Sequence, residues 1–228
     1  MKTITKQLLG VVVKAAPNLK GFDTNTIVTK EQAENFKKDG YSFCIRYLSL
    51  KSEQGTNDLS FEEAQNILSG GLSLSAVQHV RYEGWNPDSE LGTTYGQNAA
   101  NNALSIGLPK GMNIWCDLEG VNTDSTTKNI IDYCNSWYDA VNSAGYVPGL
   151  YVGANTLLNG TELYNDLKFS HYWKSLSNVP SIPKRGYQLI QSLEKNRING
   201  LDIDNDTTQN DDLGDCMLFL SPIKQKLT

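Results

Sequence analysis

Apolar positions along this chain follow two periods that take turns. Short runs rich in β-branched and aromatic residues read as strands over residues 19–23, 42–47, 74–80, 113–117, 147–152, 170–174, 187–191 and 201–204. Runs with helical spacing separate most of them. Residues 30–38 set Ala33 and Phe36 on one side behind Thr29 as N-cap. Residues 60–69 open with Ser60 and Glu63 in capping-box register, with Phe61, Ala64, Ile67 and Leu68 on one face. A longer Ala/Asn-rich helix is expected over 91–106. Another, over 126–143, carries Ile130, Ile131, Cys134, Trp137, Tyr138 and Val141 at helical spacing and stops before Gly145. A short helix over 157–167 follows Gly153, and the last three strands are joined by loops too brief for full helices.

Strands alternating with helices imply a parallel sheet, because parallel neighbours need crossover connections. The pattern predicts an α/β fold, a modified (β/α)8 TIM-type barrel with an irregular last third. The structural competitor is an open doubly wound sheet, although no Gly-rich phosphate loop follows any strand. A single barrel domain is expected over 19–228, with 1–18 as an extension packed on it. In that extension, Leu8 to Val13 is a six-residue apolar run between Lys6 and Lys14, shorter than the about 7 to 15 apolar residues of a secretory signal. It reads as a short helix or strand.

Composition narrows the function classes. The 228 residues are 39% hydrophobic and 20% charged, enough for one domain with a sizeable core. A net charge of −5, with no Lys/Arg run longer than two, lacks the electrostatic footprint of a nucleic-acid binder. No stretch approaches the roughly 20 apolar residues of a membrane span, so a soluble protein, read as a monomer, is expected. No convincing export signal is found, and action outside the cell or on the wall would need another export route. The four cysteines, Cys44, Cys116, Cys134 and Cys216, form no CxxC pair, which removes the usual zinc and redox motifs. They read as buried reduced thiols, and no cofactor is expected.

The chemistry concentrates at strand ends. The fourth strand closes in Asp117-Leu118-Glu119-Gly120. Strand alternation puts Asp117 and Glu119 on one face and Cys116 and Leu118 on the other. At a Cα separation of about 6.5 to 7 Å, mutual repulsion and partial burial raise one pKa, as a general acid near neutral pH requires. The other strands end in Asp23; Arg46 and Tyr47; Gln78, His79 and Arg81; Tyr151 and Asn155; Trp173; Gln188 and Gln191; Asp202 and Asp204. In a β/α barrel these ends meet at one mouth. An acidic cleft with Trp115, Tyr151 and Trp173 nearby suits a polyhydroxy substrate, since sugar rings stack on aromatic faces and carboxylates bond hydroxyls. Asp204, Tyr151, Trp173, Gln188, Arg46 and His79 are the candidate substrate contacts. Arg46 alternatively neutralises the acidic mouth, and His79 alternatively supports the loop after its strand.

At these residues the chain resembles the glycoside hydrolase family 25 lysozymes. Gly21-Phe22-Asp23 is similar to their opening motif and Asp117-Leu118-Glu119 to their central Asp-x-Glu. Tyr151-Val152-Gly153, Tyr172-Trp173, Tyr187-Gln188 and Gly200-Leu201-Asp202-Ile203-Asp204 follow in the expected order. With Gly149-Leu150-Tyr151 and the run from Gly200 to Asp206, the pattern most resembles a related bacterial glycoside hydrolase-like family, domain of unknown function 1906. The resemblance implies a modified barrel and a carbohydrate polymer substrate such as peptidoglycan. Glu119 would be the general acid. Asp117 would stabilise positive charge or orient a 2-acetamido group, with Asp23 and Asp202 completing the acidic ring. Position 204 is Asp where the lysozymes more often have Asn.

Two readings from different classes follow: a glycosidase cutting an amino-sugar polymer, and a non-catalytic glycan-binding module with a degenerate cleft. A third, a calcium loop at Asp202, Asp204 and Asp206, fails because Thr207 stands where the loop Gly belongs and Leu213 where the bidentate Glu belongs. No metal ligands are assigned, and a divalent ion held at the mouth by Asp23, Asp117 and Asp202 stays open as an alternative.

Overall fold

A computed structural model describes residues 7–223. The chain runs through strands β1 (Val11–Lys14), β2 (Lys20–Asp23), β3 (Phe43–Leu48), β4 (Ser73–Gln78), β5 (Asn113–Leu118), β6 (Val147–Val152), β7 (His171–Lys174), β8 (Leu189–Ile198), β9 (Leu201–Thr208) and β10 (Leu218–Ser221). Its helices are α1 (Lys30–Lys38), α2 (Phe61–Ser69), α3 (Ser89–Ile106), α4 (Thr127–Ser143) and α5 (Gly160–Asn165). Strands β2 to β9 form a ring, closed where Ala76, Val77 and Gln78 of β4 pair with Ile114, Trp115 and Cys116 of β5. That closure rules out the open sheet. No helix among the described residues is long and apolar enough to cross a membrane.

Local chemistry explains the helix boundaries. Thr29 caps α1 in a reciprocal box with Gln32, and Asn159 does the same for α5 with Glu162. Ser60 caps α2 by accepting the Glu63 N–H, but the Glu63 carboxylate does not close the box, because it is engaged deeper in the molecule. Helix α3 starts two residues earlier than its apolar pattern indicates, since Asp88 accepts the Leu91 N–H at 2.7 Å. Helix α5 is shorter than expected. Asn155 and Leu157 both have positive φ, 53° and 57°, so the chain is still turning where the pattern begins.

The last third departs from a parallel barrel in one respect. Strands β2 to β8 run parallel around the ring, whereas β9 is antiparallel to both β8 and β2. Asn199 and Gly200, at φ 50° and 80°, make a two-residue turn that returns the chain at once, so a hairpin replaces the crossover helix.

Inside the ring, Phe43, Ile45, Val77, Trp115, Trp173 and Leu189 pack as one cluster with Ala15, Cys216, Met217 and Phe219 from the β1/β10 end. Glycines make this possible. A Cβ on Gly21 would lie 2.2 Å from the Phe43 ring, and one on Gly149 2.3 Å from the Trp115 ring. The antiparallel pair β1 and β10 joins the sheet at β4 and fills the end where the parallel strands begin. Outward-facing residues, Cys44, Cys116 and Leu118 among them, pack with the helices. All four cysteines are free and buried.

Candidate active site

With the barrel floor filled by apolar side chains, polar groups gather at the opposite end. Strand parity selects them. On β2, Phe22 joins the outer core and Asp23 turns inward. On β5, Trp115 lies inside and Cys116 and Leu118 outside, so Asp117 and Glu119 follow Trp115 inward. Tyr47, Tyr151 and Gln191 enter from β3, β6 and β8. Asp204 and Asp206 enter from β9, where Asp204 is opposite Asp23 and Asp206 opposite Gly21. Because β9 is antiparallel, its beginning lies at the mouth.

Gln191 links these elements. Its Nε2 donates to Asp23 Oδ2 at 2.9 Å and to Asp204 Oδ2 at 3.4 Å. Its Oε1 accepts from the Tyr151 hydroxyl at 3.0 Å and the Leu176 N–H at 3.3 Å. Tyr47 donates to Asp23 Oδ1 at 3.1 Å. Asp206 accepts the Trp173 indole N–H at 3.0 Å, is fully buried, and touches Asp23 carboxyl to carboxyl. Asp117 is buried, and its Oδ1 has no hydrogen-bond partner.

Crowding acids in a dry mouth favours their neutral forms. Burial, reinforced by the charge of Asp204 and opposed by the Gln191 hydrogen bond, holds Asp23 at about 7. Burial, then the charges of Glu119 and Asp23, pushes Asp117 well above the ordinary carboxylate range. Burial raises Glu119 as well. Glu119 is half-buried, the most exposed of these raised acids. Its backbone is pinned where the Trp85 indole donates to the Glu119 carbonyl at 2.8 Å.

A cavity of about 410 Å³ extends from Asp23 and Tyr47 over Asp202, Asp204, Arg197 and His79. Of the acids expected at the mouth, Asp23 and Asp202 line this cavity together with Asp204, whereas Asp117 and Glu119 on the β5 side are not among its lining residues, although Asp117 interacts with Asp23. Asp202 is exposed at the rim, directly across from Arg197 in the β8/β9 hairpin. His79 stands at the same rim, bonded to Asp58 at 2.8 Å and lying 4.7 Å from the Tyr47 ring.

Three expected contacts lie elsewhere. Arg46 alternates with inward Ile45 and Tyr47 and so points out of the barrel. It is fully buried, with Nε 2.5 Å from Glu63 Oε1 and its other nitrogens on the Thr24 and Asn57 carbonyls. It neither lines nor neutralises the mouth. Gln188 alternates with inward Leu189 and binds the Tyr172 N–H, the Ser170 carbonyl and Asp211. Trp173 does face inward, but it is buried in the floor with Trp115, so neither indole offers a sugar-stacking face. Gln191, noted only as a strand end, and Asp206, weighed only in the rejected calcium loop and the family run, are not among the sequence-predicted site residues. Counting parity from Leu189 and Asp204 would have found both. Among the described residues no group of three or more His, Cys, Asp or Glu side chains is arranged to hold a metal ion.

This barrel with acids at one mouth defines a glycoside hydrolase-like domain. The chain belongs to the Rv2525c-like, glycoside hydrolase-like domain family, whose model matches residues 34–209. No curated protein matches it significantly in sequence. Among solved structures it is similar to the catalytic domain of endolysin ply40 from bacteriophage P40 of Listeria monocytogenes, with TM-score 0.59 and 19% identity over 85% of this chain and 94% of that one. An uncharacterized B. stearothermophilus protein gives TM-score 0.59 and 17% identity over 83% of this chain and 95% of that one. The modular autolysin LytC from Streptococcus pneumoniae, solved with a synthetic peptidoglycan ligand, gives 0.53 and 14% over 86% of this chain and 47% of that one. At these identities the likeness is one of fold.

Proposed function

We propose that this protein is a glycoside hydrolase cutting an amino-sugar polymer, with the glycan strand of peptidoglycan as substrate. The observation that carries the reading is the pairing, at the end of β5, of a half-exposed acid, Glu119, with a buried acid, Asp117, that lacks a hydrogen-bond partner on Oδ1. Both are held above the ordinary carboxylate range by burial. The fold shared with an endolysin catalytic domain and an autolysin supports the choice of polymer.

In the reaction Glu119 donates its proton to the glycosidic oxygen as the bond from the anomeric carbon breaks. The carbonyl oxygen of the substrate's own 2-acetamido group attacks that carbon, and water later opens the resulting ring, returning a proton to Glu119. This is a substrate-assisted exception to the two-carboxylate scheme. Asp117 accepts the acetamido N–H. That donor supplies the hydrogen bond the resting protein lacks and stabilises the Asp117 anion, while Glu119 keeps the proton it delivers.

The test is release of reducing ends from purified peptidoglycan and from chitin oligomers by wild type and Glu119→Gln. Loss of the general acid lowers the rate by about 10²- to 10⁴-fold. Equal rates in the two proteins would remove Glu119 from the mechanism. Saturable glycan binding by the wild type without any turnover would convert the reading to a binding module.

A further inference from the structure

Asp23 and Asp206 come from stretches of chain 183 positions apart in sequence, yet the antiparallel pairing of β2 with β9, which puts Asp204 opposite Asp23 and Asp206 opposite Gly21, makes them diagonal neighbours on the inner face, where their carboxyl groups hydrogen-bond. Their hydrogen bonds are unequal. Both Asp23 oxygens have donors, Tyr47 on Oδ1 and Gln191 on Oδ2. The Gln191 amide cannot be turned round, because the Leu176 N–H occupies its Oε1 and forces Nε2 toward Asp23. Asp206 receives one donor, Trp173 on Oδ1, while its buried Oδ2 has none.

Two carboxyl groups in contact in a dry interior cannot both ionise. One proton must lie between them, and it belongs on the oxygen with nothing else to bond. We infer that at pH 8 Asp206 carries that proton on Oδ2 and donates it to an ionised Asp23, so that Asp206 is a positioning residue acting as a neutral hydrogen-bond donor. Asp23 is then an anion held by Tyr47, Gln191 and Asp206, fixed in direction at the floor of the mouth. The polar groups facing this pair agree. Asp204 on β9 and Asp117 on β5 are acids, Tyr47 on β3 and Tyr151 on β6 are phenols held neutral by burial, and Trp173 and Gln191 are uncharged. Burial and the Asp23 charge hold Asp206 well above the ordinary carboxylate range.

An asparagine at 206 would present the same pattern, its oxygen to Trp173 and its N–H to Asp23. Two measurements test the assignment. The first is infrared spectroscopy of the resting protein at pH 8, which needs no turnover. The protonated-carboxyl stretch of wild type should lose one component in Asp206→Asn and keep that component in Glu119→Gln. An unchanged band in Asp206→Asn would overturn the assignment. The second rests on the glycosidase reading: Asp206→Asn should keep at least about ten times the kcat/KM of Asp206→Leu, which removes the donor, and equal losses would also overturn it. If wild type turns over no glycan, the glycosidase reading falls and the infrared difference still decides the position of the proton.

Discussion

A Cβ on Gly153 would lie 2.4 Å from Glu119 Cβ and 2.7 Å from its Oε2. Separations that short force one of the two residues to move, and Glu119, half-exposed, is the freer. Gly153 thus sets the place of the proposed acid from the neighbouring strand, with the Trp85 indole fixing the backbone on the other side. Gly153→Ala should leave the protein folded and lower kcat on peptidoglycan by about 10²-fold, as expected when a catalytic group is displaced by about 1 Å. In a Glu119→Gln background the same substitution should cost little more, and fully additive losses would show that Gly153 acts on something else. The Gly-x-Tyr-x-Gly run from Gly149 to Gly153 was visible in the sequence. The need for Gly153 was not, because the atoms it must avoid belong to Glu119, 34 positions earlier in the chain and just past the end of β5.

Arg46 shows how an element can be organised from behind the site. Its guanidinium ties β3 to Glu63 on α2 and to the carbonyls of Thr24 and Asn57 in the loops after β2 and β3. Glu63 Oε1 also accepts the Val28 N–H at 2.9 Å. Removing one partner of a fully buried ion pair strands the other charge, so Arg46→Met or Glu63→Gln should lower stability in urea by about 3 to 5 kcal/mol. Replacing both together with apolar residues of similar volume should cost much less than the sum, and simple additivity would argue against a coupled pair. The sequence offered Glu63 as a capping-box partner of Ser60, a purely local role. A charge from β3 outcompetes the cap, because a buried guanidinium without its carboxylate is far more costly than an open helix N–H.

At the scale of the whole molecule, the acidic mouth makes stability depend on pH with a defined sign. Asp23 titrates at about 7 in the fold against an ordinary 3.8, so the unfolded chain releases this proton first as pH rises. The stability associated with neutral Asp23 is fully present below about pH 4 and is lost progressively up to about pH 7. A shift of this size corresponds to roughly 4 kcal/mol at about 1.4 kcal/mol per pH unit. Urea unfolding should therefore show wild type weakening from pH 5 to pH 8, and Asp23→Asn gaining on it by a few kcal/mol over the same interval. Parallel pH profiles would place the titrating group elsewhere. The opposite end of the barrel is built without this cost. There Met217 and Phe219 fill the interior, and Asn113 accepts the Leu218 N–H at 2.6 Å.

What the chain determined by itself is what depends on near neighbours. The strand and helix periods, the Thr29 cap and the shared face of Asp117 and Glu119 follow from spacings of two to four residues, and all are present in the fold. The positively charged strand end at Arg46 misled because strand ends were read without counting parity, and Gln188 was preferred to Gln191 for the same reason. Only the tertiary structure decided the rest. The direction of β9 came from a two-residue turn at Asn199 and Gly200. The contact of Asp23 with Asp206, and with it the protonation of the mouth, came from the pairing of β2 with β9, because desolvation and charge depend on which distant groups share a dry space rather than on which residues are adjacent in the chain.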